Sequence, residues 1–382
     1  MSMMPFMSST ITVKRRLSLL VTLAFLAAIT SACGPVEGAR YTRKKAEKSL
    51  SLLEKPGTEI GTFKLTKILD GDTIKVDGLD ASLRLLGMDT EETFKSENDR
   101  RAFEAGWQQY VTNKRGSSKH PVKMATPLGE DAKVFAKHFF DGIETVKLER
   151  DHPAEIRDRY NRYLAYVLVQ KNGTWLNYNV EAVRAGMSPY FPKYGNSRHY
   201  HQQFLDAEAE AQTAQRGIWA MGAQAYPDYP ERALWWKARG DFVDKFRQEG
   251  IGKPEYIDIT QWDAMDKLEA LVGKPVAVLG TVGDVKIGDK GPARVTLSRR
   301  MGGDFPLIFF DRDTLGTSGL SQWRGEYVVV RGTPSIYVNK HTQKKQVQIQ
   351  VDQASQIELS QVPGLQKTSI PTIAPPGAAD EE

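Results

Sequence analysis

Twice between residues 68 and 93 the chain runs from a strand-like apolar stretch into a knot of carboxylates: ILDGDTIKV at 68–76, then RLLGMDTEET at 84–93 with Arg84 inside it. Like charges repel, so a fold that gathers these ends must have a use for them. The runs FKLTKILDGDTIKV and SLRLLGMD read as strands, as do ETVKLERD (144–151) and RYLAYVLV (162–169). The last runs into KNGT, where Asn172-Gly173 is a tight-hairpin signal because both central positions accept positive φ. Helical patterns cover GEDAKVFAKHFFDG (129–142), NYNVEAVRAG (177–186) and SRHYHQQFLDAEAEAQTAQRG (197–217), with Gly186 and Gly217 placed as C-terminal caps. Strands first and helices later make an α+β domain, a small β-barrel with helices on one side.

The carboxylate knots then read as chemistry. Asp72 and Asp89 each sit at a strand end, where neighbouring strands can bring both to one point and a hard divalent cation with oxygen ligands would relieve their repulsion. Thr90 can add a carbonyl. Arg84 and Arg162 offer planar, permanently charged forks for phosphate oxygens. Glu92 is left over beside the metal to take or to orient a water proton. Together these groups suit phosphodiester hydrolysis.

ILDGDTIKV, RLLGMDTEET, DRYNRYLAYV and QRGIW, in that order over residues 60–220, resemble the staphylococcal nuclease (thermonuclease) family. The resemblance implies an OB-type five-stranded β-barrel with three helices and a calcium-dependent (Ca2+) nuclease acting on DNA and RNA. It implies Asp72 and Asp89 as calcium carboxylates, Thr90 as carbonyl ligand, Arg84 and Arg162 as phosphate-binding arginines and Glu92 as the catalytic glutamate. Tyr160 matches a tyrosine that holds substrate phosphate, and Tyr190 and Tyr194 stand where the family stacks a base. Two departures stand out. Glu91 replaces a proline, which adds negative charge near the metal and bears on metal affinity and on the placement of Glu92. Residues 94–127 form a long insertion in which seven basic side chains face three acids over 95–127, either a contact for a nucleic-acid backbone or a solvated surface loop.

At 382 residues there is room for about two domains. The formal charge of +5 falls to +2 once Lys14, Arg15 and Arg16 are set aside, so attraction to an anionic polymer is local. Those three residues open an export signal, followed by the apolar stretch 17–29 and TSAC at 30–33. The sole cysteine, Cys33, resembles a lipobox cysteine that becomes the lipidated first residue; ordinary secretion with cleavage after Ala32 is the other reading. Either exports the protein, to a membrane-anchored envelope location or to a periplasmic or secreted one. No internal disulfide is open to a single cysteine. The expected organisation is a signal peptide (1–32), a lipidated tether (33–59), the nuclease-like domain (60–220), a helical connector (221–264), an OB-fold-like domain (265–361) and a disordered proline-rich tail (362–382).

The second half reads as five β segments with glycine and polar turns, and alternation in QVQIQV (346–351) is strict. They resemble the OB-fold nucleic-acid-binding group, and residues 271–360 carry twelve Lys or Arg against eight acids. Phe309, Phe310 and Tyr337 are candidate stacking platforms for a single strand, with a structural or protein-binding barrel as the alternative. HYH (199–201) invites a metal reading, but residues two apart on a helix point nearly opposite ways. ALWWKARGDF (233–242) reads as a packed connecting helix. The expected partners are flexible or single-stranded DNA or RNA and, through the anchor, a membrane; no protein partner is predicted. A noncatalytic nucleic-acid-binding or scaffold lipoprotein is the rival reading, against which Glu92 argues because a binding module has no need of it.

Overall fold

The computed structural model describes residues 57–118, 121–158, 160–298 and 304–363. The expected export signal, Cys33, most of the expected tether and the tail beyond Pro363 lie outside the described residues.

The first barrel uses β1 (Glu59–Asp70), β2 (Thr73–Val76), β3 (Leu83–Leu85), β5 (Thr145–Glu149) and β6 (Tyr163–Lys171). After β3 comes the two-residue β4 (Gly87–Met88). Antiparallel pairs join β1 to β2 and β5, β2 to β3, and β5 to β6; a parallel β3–β6 pair closes the cylinder. Strand β1 is long enough to serve two neighbours, and register shifts bend it between Leu65 and Lys67 and between Ile68 and Asp70. Asn172 and Gly173, both at positive φ, turn β6 into β7 (Thr174–Asn177), as the hairpin signal requires. Ile74, Leu83, Leu148, Tyr163, Val167 and Val169 fill the interior.

Two helices break the insertion, α1 (Glu97–Ala105) and α2 (Trp107–Arg115), ahead of α3 (Pro127–Phe139). The insertion is thus helical rather than an irregular loop, with many of its side chains exposed. Phe103, Trp107 and Tyr110 recur at helical spacing, and this apolar stripe packs with Met124, Tyr226, Tyr229 and Trp236 into a core of its own. Helix α4 (Tyr178–Arg184) ends before Gly186 at φ 72°. A short β8 (Tyr190–Phe191) pairs with β4, and α5 (His201–Thr213) follows. The long α6 (Tyr229–Glu249) contains the aromatic run: Trp236 packs edge-on to Phe191 at 4.9 Å, and Trp235 donates to Glu326 of the second barrel at 2.9 Å. Gly240 lets this helix close on the loop before α5, since a Cβ there would lie 2.5 Å from Asn196 Oδ1.

After β9 (Tyr256–Asp258) and α7 (Ala264–Ala270), the second barrel uses β10 (Val276–Lys286), β11 (Ala293–Ser298) and β12 (Phe305–Phe309). Helix α8 (Arg312–Ser318) then leads to β13 (Tyr327–Gly332), β14 (Pro334–Val338), β15 (Lys345–Gln350) and β16 (Ile357–Leu359). Strands β13 and β14 form one bent ribbon: the first half pairs with β10, the second with β15, and a parallel β12–β15 pair completes closure. This is a second, mostly β, OB-like barrel. Alternation in β15 buries Val347 and Ile349. Phe309 is a core residue at 0 % exposure and is no platform for a base, because its strand turns that side chain inward; Phe310 and Tyr337 point to solvent.

Candidate active site

Three short connections build the site. The turn between β1 and β2 carries Asp70, Gly71 and Asp72. Gly71 is needed there because a Cβ would meet Thr90 Cγ2 at 2.8 Å and Ala132 Cβ at 2.9 Å. Tyr178 Oη donates to the Gly71 carbonyl at 2.7 Å and holds the turn down, while Thr73 Oγ1 donates to Asp72 Oδ1 at 2.8 Å. Asp89 follows β4, and its backbone N–H donates to the buried Ser188 hydroxyl at 2.8 Å. Between the two carboxylates, Arg84 donates through Nη1 to Asp72 Oδ2 and through Nη2 to Asp89 Oδ1. The structure thus brings Asp72, Arg84 and Asp89 into one buried cluster, with Thr90 buried beside it.

Two lysines complete the charge pattern. Lys123, from the end of the insertion, places Nζ 2.7 Å from Asp89 Oδ1 and 3.6 Å from Glu92 Oε1, so Glu92 stands within one ammonium of the cluster. Lys95 holds the other Glu92 oxygen at 2.8 Å. The remaining insertion cations are largely neutralised: Arg101 by Glu97, Lys114 by Asp99, Arg115 by Asp228 and Glu231. Burial alone would raise the Asp89 carboxyl, yet Lys123 and Arg84 hold it well below the usual carboxylate range. Asp70 goes the other way, pushed up to about 6 by burial and by facing Asp72.

Arg162 is not among the contacts of the cluster. It lies just before β6, whose Leu164 pairs with Arg84 on β3, so the pleat puts Arg162 one strand over and two residues down, about 7 Å along the strand. Asp158 fixes it there: Oδ2 accepts from Arg162 Nε at 2.8 Å, and Oδ1 accepts from the backbone N–H of Tyr160 and of Arg162. Asn161 supplies the positive φ, 69°, that this tight turn needs. Tyr160 is 60 % exposed, with the Arg162 guanidinium 5.6 Å from its ring centre.

Two expectations need correction. Tyr190 is a core residue: its ring stacks on Phe204 at 4.9 Å and 5°, its hydroxyl accepts from the Ser197 N–H, and no face is left for a base. Pairing of β8 with β4 turned it inward. Tyr194, by contrast, borders a cleft next to the site. Glu91 adds no charge to the metal position. It is 1 % exposed and points the other way, accepting from the Thr126 hydroxyl, from Tyr226 N at 2.7 Å and from Tyr229 Oη at 2.9 Å. Where the family has a rigid proline, this chain has a clasp between the Glu92 segment, the insertion and α6. His201 shares a hydrogen bond with Tyr190 Oη, and HYH brings together no metal ligands.

Asp70, Asp158, Ser188 and Lys193 were not singled out in the sequence, and Lys123 only as one of the seven basic side chains of the insertion. Asp70 and Asp158 lie inside the quoted stretches; the other three face the site only through tertiary contacts.

The donors offered to a cation are all hard oxygens. Among the described residues no three His, Cys, Asp or Glu side chains converge on one point, so a divalent ion held by Asp72, Asp89 and the Thr90 carbonyl would need water to complete its shell.

A family model described as staphylococcal nuclease homologue matches residues 82–221, from the start of β3 to just beyond the QRGIW stretch. The thermonuclease of Staphylococcus hyicus is 30% identical over 164 residues, 42% of this chain and 76% of that protein. The thermonuclease of Staphylococcus intermedius is 30% identical over 165 residues, 41% of this chain and 76% of its own. An uncharacterized protein, MJ1439, of Methanocaldococcus jannaschii is 32% identical over 158 residues, 41% of this chain and 70% of that protein. A closed five-stranded barrel with helices, carrying a buried carboxylate–arginine cluster at its strand ends, is an OB-type domain. The chain belongs to the staphylococcal nuclease family.

Proposed function

We propose that the protein is an exported, calcium-dependent nuclease that hydrolyses phosphodiester bonds of DNA or RNA and is anchored to a membrane through a lipid on Cys33. The observation that carries the catalytic part is the buried Asp72–Arg84–Asp89 cluster with Glu92 one ammonium away. A pure binding barrel gains nothing from enclosing two carboxylates, which cost several kcal/mol each to desolvate. Calcium, when bound, supplies a Lewis acid that lowers the cost of charge on the attacked phosphate.

The chain's own residues do the rest. Arg84 and Arg162 approach the phosphate as two guanidinium forks on adjacent strands and stabilise the extra charge of the five-coordinate state. Glu92 takes or orients a proton of the attacking water. Asp158 and Ser188 are positioning residues, the first for Arg162 and the second for the Asp89 backbone. The export and anchoring parts rest on the KRR–apolar–TSAC order of residues 14–33.

Digestion of DNA and RNA by the exported chain in calcium against EDTA tests this reading. Wild type should cut only in calcium, and Glu92→Gln should lose about 10²–10⁴-fold in rate while keeping its fold. Undiminished cutting in EDTA would remove the metal; an unaffected Glu92→Gln would remove the glutamate. In the same cells, Cys33→Ser should move the protein out of the membrane fraction, and a wild type already soluble would leave simple secretion.

A further inference from the structure

Beside the catalytic cluster a cleft of about 290 Å³ opens between the two barrels. Tyr160, Lys193 and Tyr194 form its near wall and Arg239 of α6 its back; Thr281, Ser298 and Arg324 of the second barrel stand opposite. From this geometry we infer that the cleft is a subsite for the single-stranded stretch of nucleic acid adjoining the scissile phosphate. The inference rests on the nuclease reading above and extends it to the second barrel.

Position is the first argument. Tyr160 carries the Arg162 guanidinium on its ring, and Lys193 and Tyr194 both feel the charges of the cluster, Lys193 those of Asp89 and Arg84, Tyr194 that of Arg84. A strand whose phosphate sits on Arg84 passes into this cleft as it leaves. Chemistry is the second. Lys193 is largely enclosed, yet its ammonium has no ion pair or hydrogen bond among the described residues, only the Tyr194 ring 5.6 Å away. Burial lowers it to about 8 in spite of Asp89, the mark of a cation lacking a close counter-charge. Arg239 has a buried Nε with no hydrogen bond, 3.5 Å from Glu326. Arg239 has Glu326 as its partner, but an enclosed ammonium such as that of Lys193 is costly until an anion arrives. Tyr160 and Tyr194 bring aromatic rings to the lining and Thr281 and Ser298 bring hydroxyls, the groups that contact bases and the sugar–phosphate backbone of a single strand. Asp284 and Asp304 also line the cleft; Asp284 is held by Arg324 at 2.7 Å at the outer rim.

Size decides what fits. About 290 Å³ is at the lower edge of small-ligand pockets of roughly 300–1,000 Å³, room for one unstacked nucleotide and none for a duplex. The wall is held in place, because Tyr327 Oη donates to the Lys193 carbonyl at 3.2 Å and Arg247 Nη2 donates to the Tyr194 carbonyl at 2.9 Å. Neither bond uses the Lys193 ammonium.

The experiment is anisotropy of a fluorescein-labelled oligothymidylate of about 15 residues, with calorimetry of inorganic phosphate, on the full chain carrying Glu92→Gln, alone and combined with Arg324→Glu or Lys193→Gln. Arg324 is well exposed, so its replacement leaves the fold intact. Inorganic phosphate reports the phosphate site alone, since it has no sugar or base to enter the cleft. Each variant should weaken the strand about tenfold at low salt, leave phosphate within about twofold, and flatten the salt dependence by about one phosphate contact. Equal affinity of all three proteins for the strand, or an equal loss for strand and phosphate, overturns the subsite. Hydrolysis of a nitrophenyl ester of thymidine phosphate by the wild-type chain separates the two ideas. No hydrolysis with a loss confined to the strand sinks the nuclease reading and keeps the subsite; hydrolysis without such a loss does the reverse.

Discussion

The two barrels of this chain have one topology and different third strands. In each, the strands close in the order first, second, third, fifth, fourth, the third and fifth pair in parallel, and a helix lies between the third and the fourth. In the first barrel the third strand is LRL: Leu83 and Leu85 belong to the core, and Arg84, on the opposite face, is enclosed between two carboxylates. In the second it is FPLIF, where Phe305, Leu307 and Phe309 belong to the core and Leu307 pairs between Val295 and Ile349. The fold thus tolerates either a charged or an apolar third strand. What the charged one demands is a full set of partners, which the first barrel supplies from the β1–β2 turn, the segment after β4 and the insertion. Among the described residues the third strand of the second barrel has apolar neighbours instead.

Exchanging the two residues is the strongest way to break this comparison. Arg84→Leu leaves Asp72 and Asp89 enclosed without their guanidinium and should cost about 3–5 kcal/mol in urea unfolding, part of it recovered by added calcium. Leu307→Arg places a guanidinium where no carboxylate waits and should cost at least as much, with no recovery from any cation. Tolerance of Leu307→Arg at under about 1 kcal/mol would mean that the third strands do not separate the barrels.

Lys123 sharpens the comparison further, because it sits on Asp89 where a cation would sit. Lys123→Ala should tighten calcium binding about fivefold by calorimetry, the worth of roughly 1 kcal/mol for a half-exposed pair. Unchanged affinity would show that the lysine swings aside without cost.

The smallest effect concerns pH. In the folded, metal-free protein burial and the facing Asp72 push Asp70 up to about 6, above the ordinary aspartate value of 3.8, so between those values the folded state holds a proton that the unfolded chain has lost. Stability therefore falls as pH rises through this window. Asp70→Asn should remove the penalty: more stable than wild type above about pH 6, indistinguishable below about pH 4. A constant difference across that range would assign the gain to something other than the Asp70 charge.

Much of this was legible before any coordinates. The strands, the Asn172-Gly173 hairpin, the alternation of QVQIQV and the Asp72, Arg84 and Asp89 positions follow from local periodicity, turn chemistry and short motifs, because backbone sterics act over a few residues. The Phe103, Trp107 and Tyr110 stripe was equally open to view, but the charges around it masked its helical period.

Other features had no local signal. Glu91 reads as one more acid in DTEET; only Thr126, Tyr226 and Tyr229, brought from up to 138 residues away, turn it into a buried clasp. Tyr190 and Tyr194 are alike in MSPYFPKYGN, and the β4–β8 pairing alone decides that one goes inward while the other borders the cleft. Lys123 on Asp89, Lys193 without an ion pair among the described residues and the cleft between the barrels depend likewise on how separate elements dock. Sequence by itself determined the strands, the turns and the types of catalytic group, since these depend on near neighbours. Tertiary structure decided which charges are paired, which rings are covered and where a strand can lie, since electrostatics and burial depend on distance in space and not along the chain.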